Sequence, residues 1–108
     1  MAATITRGEV RLCRFPPPDK QRPVLILTRS SAIGYLNTVT VAPITSTVRG
    51  VPSEVALDVE DGMKVSCAVN LHNAVTISQA RLGRRLGTLS AARMQQVCMA
   101  LHFALGCA

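Results

Sequence analysis

The chain has 108 residues, 48% apolar and 17% charged, a balance that excludes a disordered polypeptide, and no apolar run reaches the roughly 18 to 20 residues of a bilayer span. The length is that of one domain covering 1–108, with core enough to fold without disulfides or a metal. Ten of the twelve cations behind the net charge of +6 are Arg, only Lys20 and Lys64 being Lys, and the rigid donor fork of Arg points to a nucleic acid or another polyanion as partner.

Glu9 to Phe15 reads as a first strand, with Val10, Leu12 and Phe15 on its apolar face and Arg11 and Arg14 alternating outward. Pro16-Pro17-Pro18 stops any ladder, because proline has no N–H, so 16–21 is a loop. Pro23 to Thr28 is a continuous apolar run, the pattern of a strand buried on both faces. Asn37 to Ile44 is β-branched with period two, and Glu54 to Val59 alternates cleanly. Asp61-Gly62 signals a turn, followed by a strand over Lys64 to Leu71 and a shorter one around Ala74 to Ile77. Five or six strands at this spacing predict a small barrel. Ser90 is positioned as the N-cap of a helix whose stripe of Met94, Val97, Cys98, Leu101 and Leu105 would cover the open side of that barrel, until Gly106 ends it. Met99 and Phe103 lie on the opposite side of this helix, as an exposed pair or as a subunit contact.

Phe15, Tyr35 and Phe103 are the only aromatics, too few for the stacking platforms of OB or RRM domains. Cys13, Cys67, Cys98 and Cys107 are scattered among apolar neighbours, which suits buried, reduced thiols in a cytoplasmic protein. The N-terminus carries no signal-peptide pattern, in keeping with that location. Walker, Rossmann, zinc-protease and nucleophile-elbow motifs are missing, so nucleotide-dependent, zinc and serine-hydrolase mechanisms have no support. What remains is Arg and hydroxyl residues at strand ends. Arg22 follows the proline-rich loop, either as a solvated cation or as a fork fixed in space. Thr45-Ser46-Thr47 ends the third strand with Arg49 just beyond; such hydroxyls make local turns as readily as a site. Arg81, Arg84 and Arg85 form a solvated connection or track a phosphodiester backbone.

In order, these pieces resemble the MazF/PemK-type ribonuclease toxins of bacterial toxin-antitoxin modules. Arg7-Gly8-Glu9-Val10 is similar to the family's opening R-G-[DE]-[VI], Arg22-Pro23-Val24 to its R-P-V, and Val41-Ala42-Pro43-Ile44-Thr45-Ser46 to its V-x-P-I-T-[ST]. Gly62-Met63-Lys64 resembles its G-L-K turn, Thr76 with Arg81-Leu82 its T-[IV]-x-x-x-R-L segment, and Leu86-Gly87-Thr88-Leu89-Ser90 its L-G-x-L-[ST] approach to a C-terminal helix.

The resemblance implies a mainly β fold, an SH3-like barrel of five to seven strands with a C-terminal helix. It also implies a homodimer, and cofactor-free and metal-free cleavage of single-stranded RNA at short sequences, giving 2′,3′-cyclic phosphate and 5′-OH ends. Arg22 and Thr45 take the catalytic positions, and Asp19, Lys20, Ser46, Arg49, Ser66, Asn73, Arg81, Arg84 and Arg85 the RNA-binding ones. A cognate antitoxin with an acidic, disordered tail is the expected protein partner. The chain departs from the family in its compact 15–21 loop and in Asn73, where a Gln is common; His72 beside it is a candidate for proton transfer. The alternative is a CcdB-type gyrase poison, similar in fold, which binds a protein and leaves RNA uncut.

Overall fold

The apolar run that begins at Pro23 is the centre of the molecule. In the computed structural model, which describes residues 4–18 and 20–107, β2 (Gln21–Ile26) sends Val24 and Ile26 into one core and Leu25 into another. Each such burial stabilises by about 1.5–3 kcal/mol. β1 (Glu9–Arg14) and β3 (Thr38–Thr45) flank β2 antiparallel, Val10 opposite Leu25 and Val24 opposite Pro43.

Among the described residues the chain forms seven strands and a long C-terminal helix. The remaining strands are β4 (Glu54–Leu57), β5 (Cys67–Asn70), β6 (Val75–Ser78) and β7 (Leu82–Thr88), and the pairing path runs β4-β5-β3-β2-β1-β7, with β6 on β3. β3 serves β6 with Thr38–Val41 and β5 with Ile44 and Thr45; Pro43, which has no N–H to give, falls between these two ladders. Among the described residues the path does not close on itself, so the barrel expected from the sequence is an open one. α1 (Ser30–Ile33) adds Ile33 to the Val24 core, and α2 (Ala91–Leu105) adds Val97 and Ala100 to the Leu25 core. Ser90 Oγ accepts from the Arg93 N–H at 3.2 Å, and Gly106 closes α2 at φ +71°, both as expected.

Four expectations change. Arg11 does not point outward: it is 8% exposed and Glu9 is 4% exposed. Arg11 Nε donates to Glu9 Oε1 at 2.9 Å, and its Nη atoms donate to the carbonyls of Gly83 and Thr4 at 3.0 and 3.2 Å. A buried cation is tolerated because each of its three nitrogens meets an acceptor, one of them a carboxylate. The segment 82–88 is a strand although it lacks apolar alternation, because its backbone pairs with β1 across two register shifts while its side chains stay mostly exposed. The inward stripe of α2 is Met94, Val97, Ala100, Leu101 and Ala104, whereas Leu105 overhangs the sheet and is 64% exposed. Cys13 and Cys67 are buried as expected, but Cys98 is only partly covered and Cys107 is exposed. No helix among the described residues is long and apolar enough to cross a membrane.

Candidate functional site

Where β2 begins and β3 ends, two depressions of about 820 and 500 Å³ open side by side and share Arg22, Ile44, Thr45 and Thr47 as a common wall. The strand register explains the meeting. Val24 and Pro43 are the last pair at this end of the β2–β3 ladder, and Arg22 and Thr45 each lie two residues beyond it, so the two strands deliver them to the same end of the sheet. Thr45 Oγ1 accepts from the Thr47 N–H at 3.1 Å, which ends β3 in a side-chain turn. A hydroxyl oxygen engaged in that way keeps its proton to donate.

The larger depression lies between two walls. One is the segment after the short helical turn Val59–Asp61, contributing Gly62, Met63, Lys64 and Val65; the other is β7, contributing Arg84, Arg85 and Leu86. Gly62 sits at φ +88°, a conformation that only glycine adopts freely, and it turns the chain toward the cavity. Ser46 joins the lining at the end of β3. Arg22, Lys64, Arg84 and Arg85 therefore gather around one space, a concentration of positive charge suited to successive phosphates. A carboxylate answers them from beneath: Glu9 Oε2 lies 3.8 Å from Arg85 Nη1. Burial pushes the Glu9 carboxyl up, but the Thr6 N–H and the Arg11 guanidinium outweigh it and hold it below the ordinary carboxylate range. Cys67 borders the cavity, yet burial, and then the Asp61 carboxylate, push its thiol up, away from the reactive thiolate.

The smaller depression carries Arg49, Asn73, Phe15 and Glu54. Glu54 Oε1 accepts from the Arg49 and Gly50 N–H groups at 3.0 and 2.9 Å, which fixes the turn that brings Arg49 to the rim.

Of the residues expected from the sequence, the fold thus brings together Arg22, Thr45, Ser46, Arg84 and Arg85 on one side and Arg49 and Asn73 on the other. Lys20, Ser66 and Arg81 line neither depression. Arg81 Nε donates to the Arg14 carbonyl at 2.8 Å, and its guanidinium lies 5.2 Å from the centroid of the Phe15 ring, so it supports Phe15 from behind. Asp19 lies outside the described residues. His72 Nδ1 is hydrogen-bonded to Ser53 Oγ, and the ring lines neither depression. Sequence reasoning overlooked Lys64 as a site cation; its place just after the Asp61-Gly62 turn was the available signal. Val65, Leu86 and Phe15, three of the apolar residues in the lining, gave none. Among the described residues no three His, Cys, Asp or Glu side chains converge as metal ligands.

Comparison with known proteins matches residues 6–105 to the model of the PemK-like, MazF-like toxins of type II toxin-antitoxin systems. The chain is 42% identical to the "Probable endoribonuclease MazF5" of Mycobacterium tuberculosis, over 99% of this chain and 98% of that one. Among solved structures it is similar to the Mycobacterium tuberculosis toxin MazF-mt6, with a TM-score of 0.84 and 39% identity over 91% of this chain and 96% of that one. It is also similar to a mycobacterial endoribonuclease in complex with its cognate antitoxin, with a TM-score of 0.86 and 29% identity over 96% and 97% of the two chains.

Proposed function

The chain belongs to the PemK-like, MazF-like toxins of type II toxin-antitoxin systems and is an endoribonuclease toxin; on that premise we propose that it cuts single-stranded RNA at short sequences, without a metal, by attack of a ribose 2′-OH on the adjacent phosphate. The observation that carries this reading is the convergence of the Arg22 fork and the Thr45 hydroxyl on the wall between two depressions, one of them ringed by cations.

RNA supplies its own nucleophile, so the protein has to hold the 2′-OH in line with the departing 5′-oxygen and stabilise charge on the five-coordinate phosphorus. Arg22 donates two parallel N–H bonds to the non-bridging oxygens, and Thr45 adds its O–H, the oxygen being already engaged by Thr47. The 2′-O–P bond forms as the P–O5′ bond breaks; the 2′-OH gives its proton to solvent water, and water returns one to the departing 5′-oxygen, so no net proton is consumed. The products are a 2′,3′-cyclic phosphate and a 5′-OH. Lys64, Arg84 and Arg85 neutralise phosphates on one side of the scissile bond, while Arg49 and Asn73 meet the strand on the other, where the Asn73 amide reads a base edge. The working unit is a homodimer, and an acidic antitoxin tail silences it by covering the same groove.

The test is to incubate purified protein with single-stranded RNA in EDTA and map the ends. Cleavage leaving 5′-OH and cyclic phosphate ends is expected. Cleavage that appears only on adding a divalent ion overturns the metal-free mechanism, and RNA left intact while gyrase is arrested overturns the reading as a whole.

A further inference from the structure

The cation-bearing segment of the larger depression is not held by a strand ladder. Residues 62–66 lie between the Val59–Asp61 turn and β5, and the segment begins with backbone bonds that run back into that turn: the Gly62 N–H donates to the Val59 carbonyl and the Met63 N–H to the Asp58 carbonyl. Something else has to fix Lys64 and Val65 beside Arg22 and Thr45. Met63 provides one anchor by packing on the Leu25 core. The other reaches in from α2. Arg93, which does not line the depression, places Nε 3.0 Å from Asp61 Oδ1, Nη2 3.9 Å from Asp58 Oδ2 and Nη1 3.0 Å from Gln96 Oε1. The second Asp61 oxygen accepts the Asp58 N–H at 2.9 Å, so the carboxylate joins the helix to the turn. On its other side the Asp61 carbonyl abuts β7 at Gly87, where a Cβ would stand 3.9 Å away. The turn is thus clasped between α2 and the strand that carries Arg84 and Arg85.

We propose that Arg93 is a positioning residue for the groove: through Asp61 it holds segment 62–65 in place and so sets Lys64 opposite Arg84 and Arg85. The proposal rests on the RNA-cleavage reading. Asp61 has a side chain 8% exposed; without Arg93 its charge stays buried and under-compensated, and the relief open to it is to swing toward water. That movement carries Gly62 to Val65 with it and opens the wall. Neither Arg22 nor Thr45 belongs to the moving piece, so chemistry on a bound strand persists while binding weakens.

The experiment compares cleavage of a fluorescent single-stranded RNA by wild type, Arg93→Gln, Arg93→Lys, Lys64→Ala and the Arg93→Gln/Lys64→Ala double variant, with amide hydrogen exchange on the same proteins. Arg93→Gln is expected to raise KM roughly 3- to 10-fold with kcat within about twofold, the signature of lost uniform binding. Arg93→Lys recovers most of that loss, because it restores the charge facing Asp61. The double variant is no worse than Lys64→Ala alone, since Arg93 acts through the segment that carries Lys64. Exchange quickens at Gly62 to Val65 and is unchanged at Arg22 and Thr45. A wild-type KM in Arg93→Gln, or full additivity with Lys64→Ala, overturns the proposal. Wild-type protein that cuts no RNA overturns the parent reading instead, and unchanged exchange at 62–65 in Arg93→Gln would still refute the positioning role.

Discussion

At the scale of single residues, Arg22 and Thr45 differ in what each can be replaced by. Arg22→Ala is expected to lower the cleavage rate by roughly 10² to 10³ fold with the thermal midpoint unchanged, because it removes charge stabilisation from an exposed strand end. Arg22→Lys should fall well short of wild type, an ammonium lacking the two-pronged geometry; full activity in either variant rejects the assignment. Thr45→Val keeps the shape and deletes the hydroxyl, so single-turnover rate should drop more than RNA affinity. A loss confined to affinity would make Thr45 a binding residue only. Glu9 makes a prediction about stability rather than rate. Its carboxyl, like that of Asp61 beside Arg93, is held below the ordinary range. Both groups release protons more readily folded than unfolded, so their contribution is present at neutral pH and is lost as pH falls through their folded values. Denaturant midpoints measured from about pH 7 down to about pH 3 should therefore decline, and Glu9→Gln should flatten part of that decline. Glu9→Ala, which strands the buried Arg11, should remove about 3–5 kcal/mol.

At the scale of elements, β7 is the strand that sequence patterning does not reveal. Strand prediction reads side-chain burial, and Leu82–Thr88 is built on backbone pairing to β1, with Arg11 reaching across to the Gly83 carbonyl. Recognising it divides the arginine cluster. Arg84 and Arg85 enter the groove, whereas Arg81, in the turn before β7, is tied to the Arg14 carbonyl and the Phe15 ring. Arg84→Ala and Arg85→Ala should each flatten the log-log salt dependence of RNA binding by about 0.7, the loss of one phosphate contact on a single strand. Arg81→Ala should leave the slope alone and loosen the Phe15 end of the smaller depression. Equal slopes in all three variants and wild type would return the cluster to a solvated connection.

At the scale of the whole molecule, the chain carries a net charge of +6 and four of its cations, Arg22, Lys64, Arg84 and Arg85, line one groove, which makes that groove the natural seat for a competing polyanion. An acidic, disordered segment that folds along Arg22, Lys64, Arg84 and Arg85 would displace RNA without touching the chemistry. The expected outcome is mutually exclusive binding of an acidic antitoxin tail peptide and single-stranded RNA, by fluorescence anisotropy at low salt. Simultaneous binding at full affinity defeats it. Sedimentation should give a homodimer at micromolar concentration; Met99 and Phe103, both exposed and lining a depression between α2 and β4, are available for the contact.

Most strands and the C-terminal helix, though not β7 or the short α1, were legible in the chain because burial writes itself into local pattern. The Pro23–Thr28 run foretold a strand buried on both faces, Ser90 and Gly106 bracketed α2, and the resemblance of R-P-V and P-I-T to the family's motifs pointed to Arg22 and Thr45. Which side chains meet was not legible, because contact between residues far apart in sequence depends on strand register and loop path. Only the pairing of β2 with β3 brought Arg22 and Thr45 to one wall, only the turn at Gly62 brought Lys64 into the groove, and only the Glu9 carboxylate beside Arg11 turned an expected surface cation inward. Local sequence determines which segments seek burial or hydrogen bonds; the packed chain decides which charges share a space, since electrostatic interaction depends on distance through space and not along the backbone.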